Sequence, residues 1–252
     1  MIDFAHVSKR YDGRPVLDDV SLSIAAGSFV ALVGASGAGK TTLLKAVNRL
    51  IEVDQGMVAV NGRDVADQPA VRLRRQIGYV FQGVGLFPHM TVAQNIWLVP
   101  RLAGMAAAGR AQRVADLLAM VSLPEELAGR YPHQLSGGQA QRVGFARALA
   151  AGPSIMLMDE PFGALDPVTR GDVGPAYRAL HDQMGLTSLL VTHDMAEALI
   201  LADRVIVLGA GRILADMPPR ALLRARGEPT INAMIDAARA SAARLEALAR
   251  EA

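Results

Sequence analysis

Residues Gly34-Ala35-Ser36-Gly37-Ala38-Gly39-Lys40-Thr41 constrain the fold more tightly than any other stretch, because they satisfy G-x-x-x-x-G-K-[ST] at every fixed position, with Thr42 following. The run before them, Phe29-Val30-Ala31-Leu32-Val33, is apolar throughout, as a strand covered on both faces requires. A helix is predicted after them, from about Lys40 to Leu50. Glycines let successive N–H groups converge on phosphate oxygens, and the positive end of the helix points at the same place. Lys40 would charge-pair the β- and γ-phosphates and the Thr41 hydroxyl would ligate Mg²⁺. Gly34 to Thr42 therefore reads as a nucleoside-triphosphate site. Kinases and GTPases share the motif, so the rest of the chain must choose among them.

A second acidic site follows the apolar run Ile155-Met156-Leu157-Met158, which ends in Asp159-Glu160. In an α/β sheet the carboxyl ends of strands carry the ligand. Asp159 is placed to hold Mg²⁺ and Glu160 to polarise an attacking water; alone, the pair could equally be a solvated strand end. Leu135-Ser136-Gly137-Gly138-Gln139 has the S-x-x-Q spacing of a capping box, so a helix should start there. Gly137 and Gly138 in its first turn leave the backbone bare for an anion. The bland alternative is a capped helix with no ligand.

The remaining texture divides the chain. Val16 to Ile24, Met57 to Gly62, Ile77 to Val80 and Ser188 to Val191 read as strands. From about 85 to 150 the pattern is helical, with Val114, Leu117, Leu118 and Val121 on one stripe. Residues 103 to 111 are Ala/Gly-rich and read as a surface turn. From Pro229 onward Ile231, Met234, Ile235, Ala238, Ala242 and Leu245 share one helical face, which packs on the core, binds a twin or meets a partner.

Bulk numbers exclude several classes. The 252 residues suffice for one large α/β domain or two lobes. Charges nearly cancel at +2 and aromatics are few, so there is no nucleic-acid footprint. Without cysteine there is no disulfide framework, thiolate metal site or thiol nucleophile. Met1-Ile2-Asp3-Phe4-Ala5-His6 lacks the blocks of a signal peptide, and no apolar run approaches the roughly 20 residues of a membrane helix. A membrane role would have to come through a partner.

Taken together, residues 1 to about 215 resemble an ABC nucleotide-binding domain. LSGGQ is that family's signature, and other motifs follow in order. Tyr11 lies where the family stacks an aromatic on adenine. Gln82, ending Tyr79-Val80-Phe81-Gln82, matches the glutamine that reaches Mg²⁺ and water. Ala164-Leu165-Asp166 matches the loop that crosses to the other subunit, and His193 matches the histidine at the γ-phosphate.

The resemblance implies a P-loop NTPase (RecA-like) α/β core over 1–84 and 151–215, carrying an antiparallel β subdomain. A helical subdomain is inserted at 85–150, and a helical tail occupies 216–252. It also implies a head-to-tail homodimer with ATP and Mg²⁺ held between the phosphate loop of one copy and Ser136-Gly137-Gly138-Gln139 of the other. Glu160, His193 and Gln82 would be catalytic, and Thr41, Gln82 and Asp159 would serve the metal. Integral-membrane permease subunits and an extracytoplasmic substrate-binding protein would complete a transporter, with this chain on the cytoplasmic face of the inner or plasma membrane. A groove formed from Gly85 to Ile96 would receive the permease's cytoplasmic helix.

That segment, with Asp159 to Arg170 and Val99-Pro100-Arg101, is similar to bacterial importers of quaternary-amine osmoprotectants such as glycine betaine, choline or carnitine. Related importers of other small solutes share much of it; a soluble ABC ATPase would usually carry two such domains. Three departures stand out. Gly83 replaces a frequent second glutamine. Gly171, Gly174 and Pro175 should delay the next helix until near Pro175. The chain also has no room for the paired regulatory domains many such motors carry.

Overall fold

The computed structural model describes residues 1–225 and 228–251. Strands β1 (Ile2–Tyr11), β2 (Arg14–Ile24), β4 (Gln55–Val60) and β5 (Arg63–Asp64) form an antiparallel sheet in the order β2-β1-β4-β5. A second sheet runs β10-β9-β3-β8-β7-β6, from β3 (Phe29–Val33), β6 (Ile77–Val80), β7 (Ile155–Asp159), β8 (Thr187–Thr192), β9 (Arg204–Gly209) and β10 (Arg212–Met217). Its pairings are parallel except for β10, which lies antiparallel on the edge.

Every residue of β3 is buried, and alternation explains why all are apolar. Phe29, Ala31 and Val33 face a cluster with Met156, Met158, Val205 and Val207. Val30 and Leu32 face the opposite cluster with Leu157, Leu189, Ile206 and Leu208. The first cluster is covered by helices α3 (Val92–Leu102), α4 (Arg110–Met120), α5 (Gly137–Leu149), α6 (Pro167–Met184) and α7 (Met195–Leu201). The second is covered by α1 (Lys40–Val47), by Leu73 of α2 (Ala70–Arg75) and by the antiparallel sheet. Val114, Leu117, Leu118 and Val121 all enter the first cluster, as their spacing requires.

Three boundaries differ from the sequence expectation. α1 ends at Val47, not Leu50, because Arg49 turns to φ 54° and the Leu50 N–H closes back on the Lys45 carbonyl at 2.9 Å. The turn after α3 stops at Gly109, whose φ of 78° opens α4 at Arg110. α6 does not wait for Pro175. It starts at Pro167, whose missing N–H is harmless at the first position, and Asp166 caps it by accepting from the Thr169 N–H at 3.0 Å. Gly174 lies buried against Leu201, with a Cβ there only 3.4 Å from its methyl. Pro175 removes a bond to the exposed Gly171 carbonyl, which water can satisfy.

After α8 (Pro219–Leu222), α9 (Pro229–Glu251) returns along the body. Ile231 and Ile235 are buried in the first cluster, with Met234 and Ala238 packed against it. Ala242 and Leu245 lie outside the described side chains. Among the described residues no helix is long and apolar enough to cross a membrane.

Candidate nucleotide site

The phosphate loop joins β3 to α1, and its glycines have separate causes. A Cβ on Gly34 would stand 2.3 Å from the Leu208 carbonyl oxygen. One on Gly39 would stand 2.5 Å from that of Val16, at φ 98°. Gly37 faces open space but takes φ 80°. Ala35 and Ser36 are exposed between them, while Ala38 is buried. The buried Lys40 bends back over the loop, its Nζ donating to the carbonyls of Gly34 at 2.7 Å and Ala35 at 2.9 Å. Burial draws its pKa down, against the opposing pull of Glu160 and Asp159. Thr41 and Thr42 open α1, both half-buried.

Parallel pairing of β7 with β8 carries Asp159 to the strand end beside α1. There the Thr41 hydroxyl donates to Asp159 Oδ1 at 2.8 Å. Burial raises the Asp159 pKa, and the Thr41 bond, Lys45 and Tyr79 work against that rise. Glu160 follows in the left-handed region at φ 44°, with its N–H held by the Val191 carbonyl at 2.9 Å. A non-glycine residue there is strained by roughly 1–2 kcal/mol. The twist leaves Glu160 Oε2 accepting from Gln82 Nε2 at 3.2 Å and sets Oε1 3.4 Å from His193 Nδ1. Glu160, Gln82 and His193 thus converge from three strand ends.

Among the described residues no cluster of three or more His, Cys, Asp or Glu could cage a metal. Mg²⁺ does not need one, since it keeps waters and is held by one or two carboxylates with substrate phosphates. A buried carboxylate already bonded to a hydroxyl at the head of the phosphate loop supplies the hard oxygens, so Thr41 and Asp159 fit.

The Ser136 turn forms a complete capping box. Ser136 Oγ accepts from the Gln139 N–H at 3.2 Å, and Gln139 Oε1 accepts from the Ser136 N–H at 3.0 Å. Gly137 faces open space, as a bare anion-binding turn would. Gly138 has a second reason to be glycine, because a Cβ would lie 2.3 Å from Thr169 Cγ2. Thr169 also donates its hydroxyl to Asp166 Oδ2 at 2.6 Å, so Asp166 and the Ser136 turn adjoin. Those Thr169 bonds hold the Asp166 carboxyl below its ordinary pKa. Tyr11, at the end of β1, is 44% exposed with Lys9 Nζ 5.4 Å above its ring. Gly83 takes φ 73°, a conformation open to glycine.

Two neighbours of Asp159 escaped the motif reading. Tyr79 pairs with Leu157 on β7 and shares its face with Asp159, two residues on. Burial, then the Asp159 carboxylate, raise its phenol pKa. Lys45 lies one helical turn beyond Thr41, a spacing that could have exposed it. Beside Tyr79 a cavity of about 200 Å³ opens between Leu50, Phe81, Val99 and Arg147.

A family model described as ABC transporter matches residues 17–163. The glycine betaine uptake system ATP-binding protein YehX of Escherichia coli (strain K12) is 48% identical over 223 residues, which are 88% of this chain and 72% of that protein. The carnitine transport ATP-binding protein OpuCA of Listeria monocytogenes is 47% identical over 225 residues, 89% of this chain and 57% of that protein. The chain thus spans little more than half the length of the latter. Among solved structures, the dimeric post-hydrolysis state of the ATP-binding cassette MJ0796 bound to ADP and Pi superposes with a TM-score of 0.79. It is 33% identical, with 90% of this chain and all of that one covered.

Proposed function

The chain belongs to the ABC transporter family, and from that premise we propose that it is the ATP-hydrolysing subunit of an importer, energising uptake of a quaternary-amine osmoprotectant such as glycine betaine or choline. The observation that carries the motor is the Glu160 carboxylate, bonded by Gln82 and faced by His193, one residue beyond the Thr41–Asp159 pair.

In this reading Gly34 to Thr42 cradle the phosphates, with Lys40 exchanging loop carbonyls for phosphate oxygens. Tyr11 stacks on the adenine. Thr41, Asp159 and Gln82 would hold Mg²⁺, which would neutralise charge on the phosphates. Glu160 accepts the proton of the attacking water, Gln82 orients that water, and His193 donates towards the γ-phosphate. Ser136, Gly137, Gly138, Gln139 and Asp166 face the nucleotide of a second copy in a head-to-tail homodimer.

Residues 1–84 and 151–215 act as the ATP-binding core, 85–150 as the helical subdomain and 216–252 as the tail. Permease subunits dock at the groove read from Gly85 to Ile96, on the cytoplasmic face of the membrane, and an extracytoplasmic binding protein delivers the solute. The solute rests on the named relatives and on the Gly85 to Arg101 resemblance.

Uptake of labelled glycine betaine and choline, in source cells lacking other carriers, tests the reading by comparing wild type with Glu160→Gln. Loss of uptake only in the variant supports motor and solute together. Unchanged uptake, with purified wild type still hydrolysing ATP, discards the solute in favour of another small polar one. A purified wild type that neither binds nor hydrolyses ATP removes the motor.

A further inference from the structure

Arg147 is 6% exposed inside α5, and its partners are backbone carbonyls rather than a carboxylate. Nη1 donates to the Gly85 oxygen at 2.7 Å and Nη2 to the Val84 oxygen at 3.4 Å. Its guanidinium carbon also sits 6.0 Å from the centre of the Phe81 ring. Phe81 immediately precedes Gln82, and Val84 and Gly85 follow it with only Gly83 between. Arg147 therefore brackets Gln82 on both sides.

The bracketed loop has little stiffness of its own. Gly83 at φ 73° and Gly85 at φ 55° are its hinges. One turn earlier on α5, Gly144 lies beside the Val84 carbonyl, where a Cβ would make an ordinary contact at 3.7 Å. Burying a guanidinium against carbonyls alone is unfavourable compared with an apolar side chain on the same helix face. The fork does what an apolar chain could not, grasping two successive carbonyls in fixed directions.

We propose that Arg147 is a positioning residue that sets Gln82 against Glu160, making α5 one rigid link between the Ser136 turn and the hydrolytic carboxylate. This rests on the roles proposed above for Gln82 and Glu160. Ser136 and Arg147 stand at the two ends of the same helix, roughly 16 Å apart along its axis. A displacement of the Ser136 end moves the guanidinium, and the guanidinium moves the Gln82 loop.

The test is a cycle of purified variants. Arg147→Lys keeps the charge and the stem but cannot hold two carbonyls in a planar fork. It should lower kcat for ATP hydrolysis about ten- to a hundredfold, the scale of a small misplacement at the reacting atoms. Its KM and its affinity for ATP in EDTA should stay within about twofold of wild type, since the phosphate loop is untouched. In a Gln82→Ala background the same change should have no further effect on kcat. An unchanged kcat in folded Arg147→Lys, or an equal further loss in the Gln82→Ala background, overturns the proposal.

Should Arg147→Lys fail to fold, Gly85→Ala decides. It disturbs the accepting carbonyl through its positive φ and must give the same split between kcat and ATP affinity. A wild type without any hydrolysis would overturn the proposed function instead.

Discussion

At the scale of single residues, Glu160 is strained where it is proposed to react. Glu160→Gly removes the Cβ from φ 44°, relieving about 1–2 kcal/mol against roughly 0.5–1 kcal/mol of added unfolded-state entropy. Thermal unfolding should show stability held or raised by up to ~1 kcal/mol while phosphate release is abolished; a clear drop in melting temperature would show that the backbone there is not strained. His181 gives a pH prediction. It is buried against Ser188 Oγ at 2.9 Å, and burial, then Arg178, depress its pKa. Below the unfolded value near 6.5 the unfolded chain takes up a proton that the native ring refuses. Its stability contribution is thus complete above about 6.5 and declines as pH falls from there through the folded value. Urea midpoints at pH 8 and pH 5.5 should diverge more for wild type than for His181→Gln; equal divergence would assign the pH dependence to other groups. The acidic strand end singled out Glu160 and the family resemblance Gln82 and His193, but neither the φ of Glu160 nor the burial of His181 has a local signal, because both are imposed by strands far away in the chain.

Among the elements, the contact between α5 and α6 turns on Gly138. Its missing Cβ would overlap Thr169 Cγ2, and Thr169 cannot swing aside without breaking its 2.6 Å bond to Asp166. Gly138→Ala should destabilise the fold by about 1–3 kcal/mol, as overpacking does. Adding Thr169→Ser, which deletes the offending methyl but keeps the hydroxyl, should restore most of that loss in chemical denaturation. A single variant as stable as wild type would mean the two helices part freely. The sequence offered the glycine as an anion-binding device, and the packing against Thr169 supplies an independent reason for it. α6 makes a related point. Gly171, Gly174 and Pro175 argued for a late start by helix propensity, yet the Asp166 cap and Pro167 at the first position start the helix there.

For the whole molecule, the phosphate loop and the Ser136 turn belong in the proposed reading to different nucleotides, so ATP should join two copies. Glu160→Gln, which binds ATP without consuming it, should elute near twice the 26.6 kDa of one chain when ATP is present, and as a single chain without it. Elution as a monomer at saturating ATP would detach the Ser136 turn from any shared site. The sequence by itself determined the phosphate loop, the acidic strand end, the capped Ser136 helix and the doubly buried strand β3, since each is a short run whose chemistry is written in neighbouring residues. Only the tertiary structure decided how Gln82, Glu160 and His193 meet, why Gly34, Gly39 and Gly138 cannot carry a Cβ, and where Arg147 places its buried charge. Each of these depends on atoms tens of residues apart, brought together by strand order and helix packing that no local pattern encodes.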